Sequence, residues 1–156
     1  MSLSTPATRH LDRLGIPYQV HVHAGPVRSL EQAAAERGLA PEQIVRSLVF
    51  RLENGEFVLV LMPGGRQVSW LKLRRGLGIS RITTASREQV LASTGYLPGA
   101  VSPFGLATPL RILADSCLLT QDPLSLGAGA PNAGLILARR DLLDNLRPQL
   151  LDLCSE

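Results

Sequence analysis

Aromatic residues are scarce in this chain: one Trp, two Tyr and three Phe among 156 residues. A hydrophobic share of 45% must therefore come from aliphatic side chains, which still suits a packed core rather than disorder. Lysine is almost absent. Lys72 stands alone against fifteen arginines, and the formal net charge is only +3. So mild a basic excess permits a polyanionic partner without demanding one. There are two cysteines, Cys117 and Cys154, too few and too far apart in sequence for a disulfide framework or a zinc site. A reducing cytoplasm is the simplest setting for them. Long apolar runs are missing as well. The longest, Phe57 to Met62, is far too short to span a bilayer, and the polar stretch from Met1 to Gly15 has no apolar signal core. The length suits one domain, residues 1–156, without a linker or an internal repeat.

What is present alternates between helix and strand signals. Thr5-Pro6 opens a helix that Gly15 stops. Tyr18 to His23 alternates like a strand. Ser29 with Gln32 forms a capping box for a helix closed by Gly38. Val45 to Leu52 and Phe57 to Met62 read as strands joined by an Asn54-Gly55 hairpin turn. Trp70 to Leu77 reads as a helix, and Ser86 with Gln89 caps another that ends at Gly95. Leu110 to Ala114 and Leu135 to Ala138 are further strands, and Asp141 to Leu146 begins a last helix. The irregular mixture predicts an α+β domain with a mixed, curved sheet.

Residues able to do chemistry are few. His21 and His23 share one face of their strand, as metal ligands or as an ordinary polar face. His10 reads as a solvated helix residue. Ser102 shows neither a base within reach nor a strand-turn-helix elbow. Asp115 follows a strand, either capping the next turn or holding a substrate amine. Gly127 to Gly134 lacks the spacing of a phosphate loop and reads as a tight turn between strands. The segment from Thr94 to Pro109 is more informative. It has no charged residue, three Gly and three Pro. Proline fixes φ and glycine lets main chain approach a ligand, so such a loop can hold peptide N–H groups as rigid donors to the oxyanion of an ester hydrolysis. A rigid structural turn accounts for the same composition.

The pattern Gly95-Tyr96-Leu97-Pro98-Gly99-Ala100-Val101-Ser102-Pro103-Phe104-Gly105 resembles the YbaK/EbsC family, which includes the editing domain of bacterial prolyl-tRNA synthetases and its free-standing homologues. Gly99 and Pro103 match the family's Gly-x-x-x-Pro loop. Ile44-Val45-Arg46-Ser47-Leu48-Val49-Phe50 is similar to a family strand that usually carries Lys where Arg46 stands. Lys72-Leu73 and Asp141-Leu142 also fit. The resemblance implies a barrel-like mixed sheet wrapped by helices. It implies an aminoacyl-tRNA deacylase without metal or cofactor, acting on the acceptor end of tRNA-Pro carrying a small wrong amino acid. Prolyl-tRNA synthetase is then a partner; neither DNA nor a membrane is. Catalysis would fall to Arg46 and the loop residues Gly99, Ala100, Val101, Ser102 and Pro103. Substrate binding would involve His21, His23, Gly105, Asp115 and Gly129. Gly129 and Ile136 stand where the Cys-tRNA deacylase branch carries Ser and Asp, which disfavours a cysteine-specific pocket.

Overall fold

The computed structural model describes residues 3–155; Met1, Ser2 and Glu156, the ends of the expected domain, lie outside the described residues. Helix α1 (Pro6–Leu14) starts where Thr5 and Thr8 exchange hydrogen bonds, the Thr8 amide donating to the Thr5 hydroxyl at 3.2 Å and the Thr5 amide donating to that of Thr8 at 2.8 Å. It buries Ala7 and Leu11. Strand β1 (Gln19–Val22) is shorter at both ends than its alternation predicts. Helix α2 (Leu30–Arg37) begins on the Ser29 hydroxyl, and the Gln32 side chain reaches back to the Arg28 amide, one residue beyond a simple capping box. Then come β2 (Val45–Leu52), β3 (Phe57–Pro63), α3 (Trp70–Leu77), β4 (Ile82–Thr84) and α4 (Arg87–Thr94). The chain closes with β5 (Arg111–Asp115), β6 (Leu124–Gly127), β7 (Ala133–Leu137), α5 (Arg139–Leu146) and β8 (Gln149–Leu151). The Gly127 to Gly134 segment is the turn between β6 and β7.

The strands form two sheets among the described residues. One has the order β1-β7-β6 and is antiparallel; the other has the order β4-β2-β3-β5-β8, with β3, β5 and β8 parallel. They meet at a single parallel bridge between Ile44 and Ser125. The sheet is mixed, as expected, but it does not close into a barrel. Near the bridge, the carbonyls of Ala100 and Val101 pack on Gly127 at the end of β6.

Strand alternation divides the core in two. Val45 and Val49 of β2 pack with Leu59, Leu61, Val101 and Phe104 on one face. Phe50 and Leu52 pack with Val58, Val60, Met62 and Leu73 on the other, where Leu48 joins them. Both faces of β3 are covered, so Val58 to Met62 form a continuous, fully buried apolar run.

Candidate functional site

The loop after α4 carries its own frame. Tyr96 donates its hydroxyl proton to the Phe104 carbonyl at 2.6 Å, and burial pushes its pKa up to about 12. The Ala107 amide returns to the Thr94 carbonyl at 2.9 Å. The Gly105 amide donates to Nδ1 of His10 at 2.8 Å, and the His10 ring meets Phe104 edge-on at 5.8 Å. His10 is thus not a solvated helix residue: it pins the loop from α1, as an acceptor and therefore in its neutral form. Burial, and then Arg13, lower its pKa. Gly105 approaches the main chain of Pro6 so closely that no side chain would fit, and its φ of +69° suits only glycine. Ser102, Pro103 and Phe104 are buried beneath this frame. The Ser102 hydroxyl accepts from the Phe104 amide at 3.3 Å, so it locks a turn and is not presented as a nucleophile.

What remains exposed is the tip, Leu97 to Gly99; Ala100 and Val101 behind it are buried. The tip faces a groove with two lobes along the outer edge of β2. Strand β4 pairs only with Phe50 to Leu52, which leaves the first half of that edge uncovered by strand. The larger lobe, about 510 Å³, is lined by Ser47, Phe50, Trp70, Val90, Gly99 and Val101 among others. Trp70 stands edge-on to Phe50 at 5.3 Å and is 40% exposed, a ring surface at the rim. The smaller lobe, about 310 Å³, is lined by Arg37, Arg46, Ser47, Gly99, Val101 and Gly127 among others. Ser47, Leu48, Gly99 and Val101 border both lobes.

Two kinds of unpartnered donor belong to residues that border both lobes. The Ala100 amide is bonded to the Leu97 carbonyl at 3.0 Å, while the amides of Gly99 and Val101 make no hydrogen bond to the described residues. The Ser47 hydroxyl is buried and also without a partner. An orphan buried hydroxyl costs free energy unless something fills its bonding capacity. Alternation puts Ser47 on the face of Val45, Val49 and Val101, and puts Arg46 on the face of Leu48 and Phe50. From there the Arg46 guanidinium Nη2 donates to the Arg66 carbonyl, and its Nε is buried without a partner. Arg46 and the loop tip line one cavity, but they reach it from opposite faces of the strand's free edge. Ser47 could have been picked from the sequence by counting one residue on from Arg46.

The remaining expected residues lie elsewhere or play other parts. His23, just past β1, is buried; its Nδ1 lies 2.9 Å from Oε1 of Glu36, and its Nε2 accepts from Nε of Arg37 at 3.1 Å. Because a guanidinium only donates, Nε2 is the bare nitrogen and Nδ1 carries the proton to Glu36. His21 stacks edge-on against it at 4.7 Å. These two histidines and Glu36 are close enough to hold a metal; in this structure Nδ1 of His23 is bonded to Glu36 and Nε2 to Arg37. Asp115 is fully buried, taking the Cys117 amide at 2.9 Å and the Leu153 amide at 2.8 Å. Burial raises its pKa, but the Leu153 and Cys117 amides and the neighbouring thiols outweigh this and lower it overall. It caps the turn and ties down the C-terminal segment, and it lines neither lobe. Gly129 packs under Tyr96 and Thr5, and Ile136 lies on a different surface of the β1-β7-β6 sheet, so neither lines a lobe. Besides Ser47, the polar side chain of the smaller lobe that sequence reading missed is Arg37, whose pKa is lowered by burial against the raising effect of Glu36.

Fold and groove together define a small α+β domain with an opening between its two sheets, bordered by Ser47, Gly99 and Val101. The chain belongs to the aminoacyl-tRNA editing domain family, whose profile matches residues 24–145. It is 35% identical over 107 residues to the proline–tRNA ligase of Bacillus licheniformis and 32% identical over 107 residues to that of Trichlorobacter lovleyi. Each match takes in 69% of this chain but only 18% and 19% of those enzymes, so the chain spans about a fifth of the curated relatives it matches. A crystal structure described as a candidate trans-editing enzyme for prolyl-tRNA synthetase superimposes with a TM-score of 0.89 at 31% identity, covering 99% of this chain and 100% of that one. The hypothetical protein APE2540 shares the fold, with a TM-score of 0.87 at 23% identity over 97% of this chain and all of that one. Among the described residues, no helix is long and apolar enough to cross a membrane.

Proposed function

We propose that this chain, acting as a single unit, hydrolyses the ester of a mischarged aminoacyl-tRNA, with tRNA-Pro bearing a small wrong amino acid as its substrate. The observation that carries this reading is the pair of unpartnered amides, Gly99 and Val101, beside the orphan Ser47 hydroxyl at the neck of the groove. Water attacks the ester carbonyl, the oxyanion is held by those amides, and collapse releases the amino acid and the 3′ hydroxyl of the terminal ribose. Each such donor contributes on the order of 10²–10³ in rate when it is aimed at the developing charge. The ring surface of Trp70 suits the terminal adenine, since base stacking on an aromatic side chain contributes about 1–3 kcal/mol. The aminoacyl group then occupies the smaller lobe. Arg46 supplies a permanent cation for a phosphate or carbonyl oxygen and needs no proton transfer. Proline–tRNA ligases carry the matching segment, which supports tRNA-Pro as the substrate, prolyl-tRNA synthetase as the partner and the cytoplasm as the setting.

A second reading, a tRNA-binding homologue without catalysis, draws on the hold of the Arg66 carbonyl on the Arg46 guanidinium. Purified protein incubated with Ala-, Ser-, Cys- and Phe-charged tRNA-Pro separates the two. Release of a small amino acid supports the deacylase. An inert wild type beside an active Arg46→Lys variant establishes the silent homologue. Rapid release of Phe alone contradicts the small-substrate assignment.

A further inference from the structure

We propose that Arg37 determines which amino acid the site accepts, selecting aminoacyl groups whose side chain offers a hydrogen-bond acceptor, such as a hydroxyl, over purely aliphatic ones of similar size. This rests on the reading that the smaller lobe receives the aminoacyl group.

Arg37 ends α2, where a basic residue before Gly38 looks like routine compensation of the helix dipole. Its side chain does something more specific. Nε donates to His23 Nε2 at 3.1 Å, and Nη1 donates to Ser125 Oγ at 2.9 Å. Both acceptors are neutral, and both belong to buried residues of the three-stranded side of the molecule. The third nitrogen, Nη2, makes no hydrogen bond to the described residues, and no carboxylate lies within ion-pair distance of the guanidinium. A half-buried cation is therefore fixed in orientation without being neutralised.

The scaffold makes room for it. Gly134 of β7 lies directly under the guanidinium, so that a Cβ there would overlap Arg37 Cζ and Nη1. The relay continues outward, because His23 can accept from Arg37 only while its other nitrogen donates to Glu36. Glu36, His23 and Ser125 thus orient one side chain whose guanidinium borders the smaller lobe. Apart from Arg37, Arg46 and Ser47, that lobe is walled by glycines and aliphatic residues, including Ile44, Leu126 and Ala133. An aliphatic substrate side chain placed there leaves the donor without a protein or ligand acceptor, whereas a hydroxyl gives it one. Such asymmetry discriminates more strongly than shape alone, since a missing methylene is worth far less than an unpaired polar group.

The test measures binding and turnover of matched substrates. Non-hydrolysable 3′-aminoacylamino-3′-deoxyadenosines carrying seryl or alanyl groups are titrated into wild type, Arg37→Met and Gly134→Ala by NMR or calorimetry. Deacylation of Ser- and Ala-tRNA-Pro is measured alongside. Wild type is expected to prefer the seryl compound by about 10- to 100-fold, the worth of one charged hydrogen bond. Arg37→Met should bring that ratio close to one. Gly134→Ala keeps the charge but displaces the guanidinium, and it should lower the ratio as well. Thermal unfolding shows that each variant is folded. A wild-type ratio near one, or an unchanged ratio in both variants, overturns the proposal. The second result includes equal weakening of both compounds, which would place Arg37 on the part of the substrate they share. If wild type hydrolyses no charged tRNA but still prefers the seryl compound, deacylation fails and the specificity assignment stands.

Discussion

Gly127→Ala should disable the site from behind. Gly127 lies at the end of β6, opposite Gly134 in register, and carries the Ala100–Val101 stretch on its Cα. An added Cβ would lie 2.9 Å from the Val101 carbonyl carbon and 3.4 Å from the Ala100 oxygen, and would overlap the Val101 oxygen outright. These are main-chain atoms and cannot rotate aside as a side chain would. The loop tip must retreat on the order of 1 Å, and a misplacement of that size at a reacting centre costs about 100-fold in rate. Overpacking of this kind also destabilises by about 1–3 kcal/mol. That corresponds to a few degrees in Tm, roughly 2–4 °C per kcal/mol for a chain of this size. Single-turnover deacylation of whichever charged tRNA wild type hydrolyses fastest, with a thermal melt beside it, gives both numbers. Gly134→Ala is the internal comparison: its Cβ meets only the flexible end of Arg37, so its Tm should fall less than that of Gly127→Ala. A folded Gly127→Ala protein that deacylates within threefold of wild type would refute the placement of Gly99 and Val101 at the reaction centre.

Arg46→Ala should lose about 10- to 100-fold in deacylation, as expected for one charged hydrogen bond, while Arg46→Lys stays active; steady-state kinetics on one charged tRNA checks both. His10 ties stability to pH. Its folded pKa is lowered while the unfolded value stays near 6.5, so the unfolded chain binds the extra proton first. The contribution of its Gly105 bond is complete above pH 6.5 and is lost as pH falls below it. Tm followed from pH 8 to 5 should drop on the acid side, and His10→Gln should flatten that part of the profile. Binding to tRNA should be weak and fall with salt on a shallow slope, because a net charge of +3 allows few phosphate contacts. Fluorescence anisotropy at two ionic strengths tests this; insensitivity to salt would contradict it.

The helices were legible because their ends carry chemistry. Thr5, Ser29, Ser69 and Ser86 each accept the amide three residues on, and glycine follows all four of those helices. The Asn54-Gly55 hairpin was legible for the same reason. Strands β4, β6 and β8 were not, since three or four residues carry too little alternation to register. Their place depends on pairing partners distant in sequence, as when Leu113 to Asp115 pair with Gln149 to Leu151. The catalytic-looking loop stood out through its glycines, prolines and missing charge, but which of its residues face inward did not. Ser102 and Pro103 share the motif with Gly99 and Val101 yet lie beneath it. Arg37 was invisible because its meaning comes from His23, Ser125 and Gly134, brought together by the pairing of β1, β6 and β7.

The single bridge between Ile44 and Ser125 has a consequence for how this protein can be improved. A seam that zipped further, with β2 and β6 bonded along their length, would satisfy more backbone and give a firmer molecule. It would also have no groove. Substitutions selected for heat resistance should therefore accumulate on β3 and β5 and around the Asp115 ties, and any that tighten the seam should trade turnover for stability. On the proposed reading the substrate is the missing neighbour of β2, and occupancy should protect the edge-facing amide of Ser47 from hydrogen exchange, while the amides of Arg46 and Leu48, which face β3, should change little.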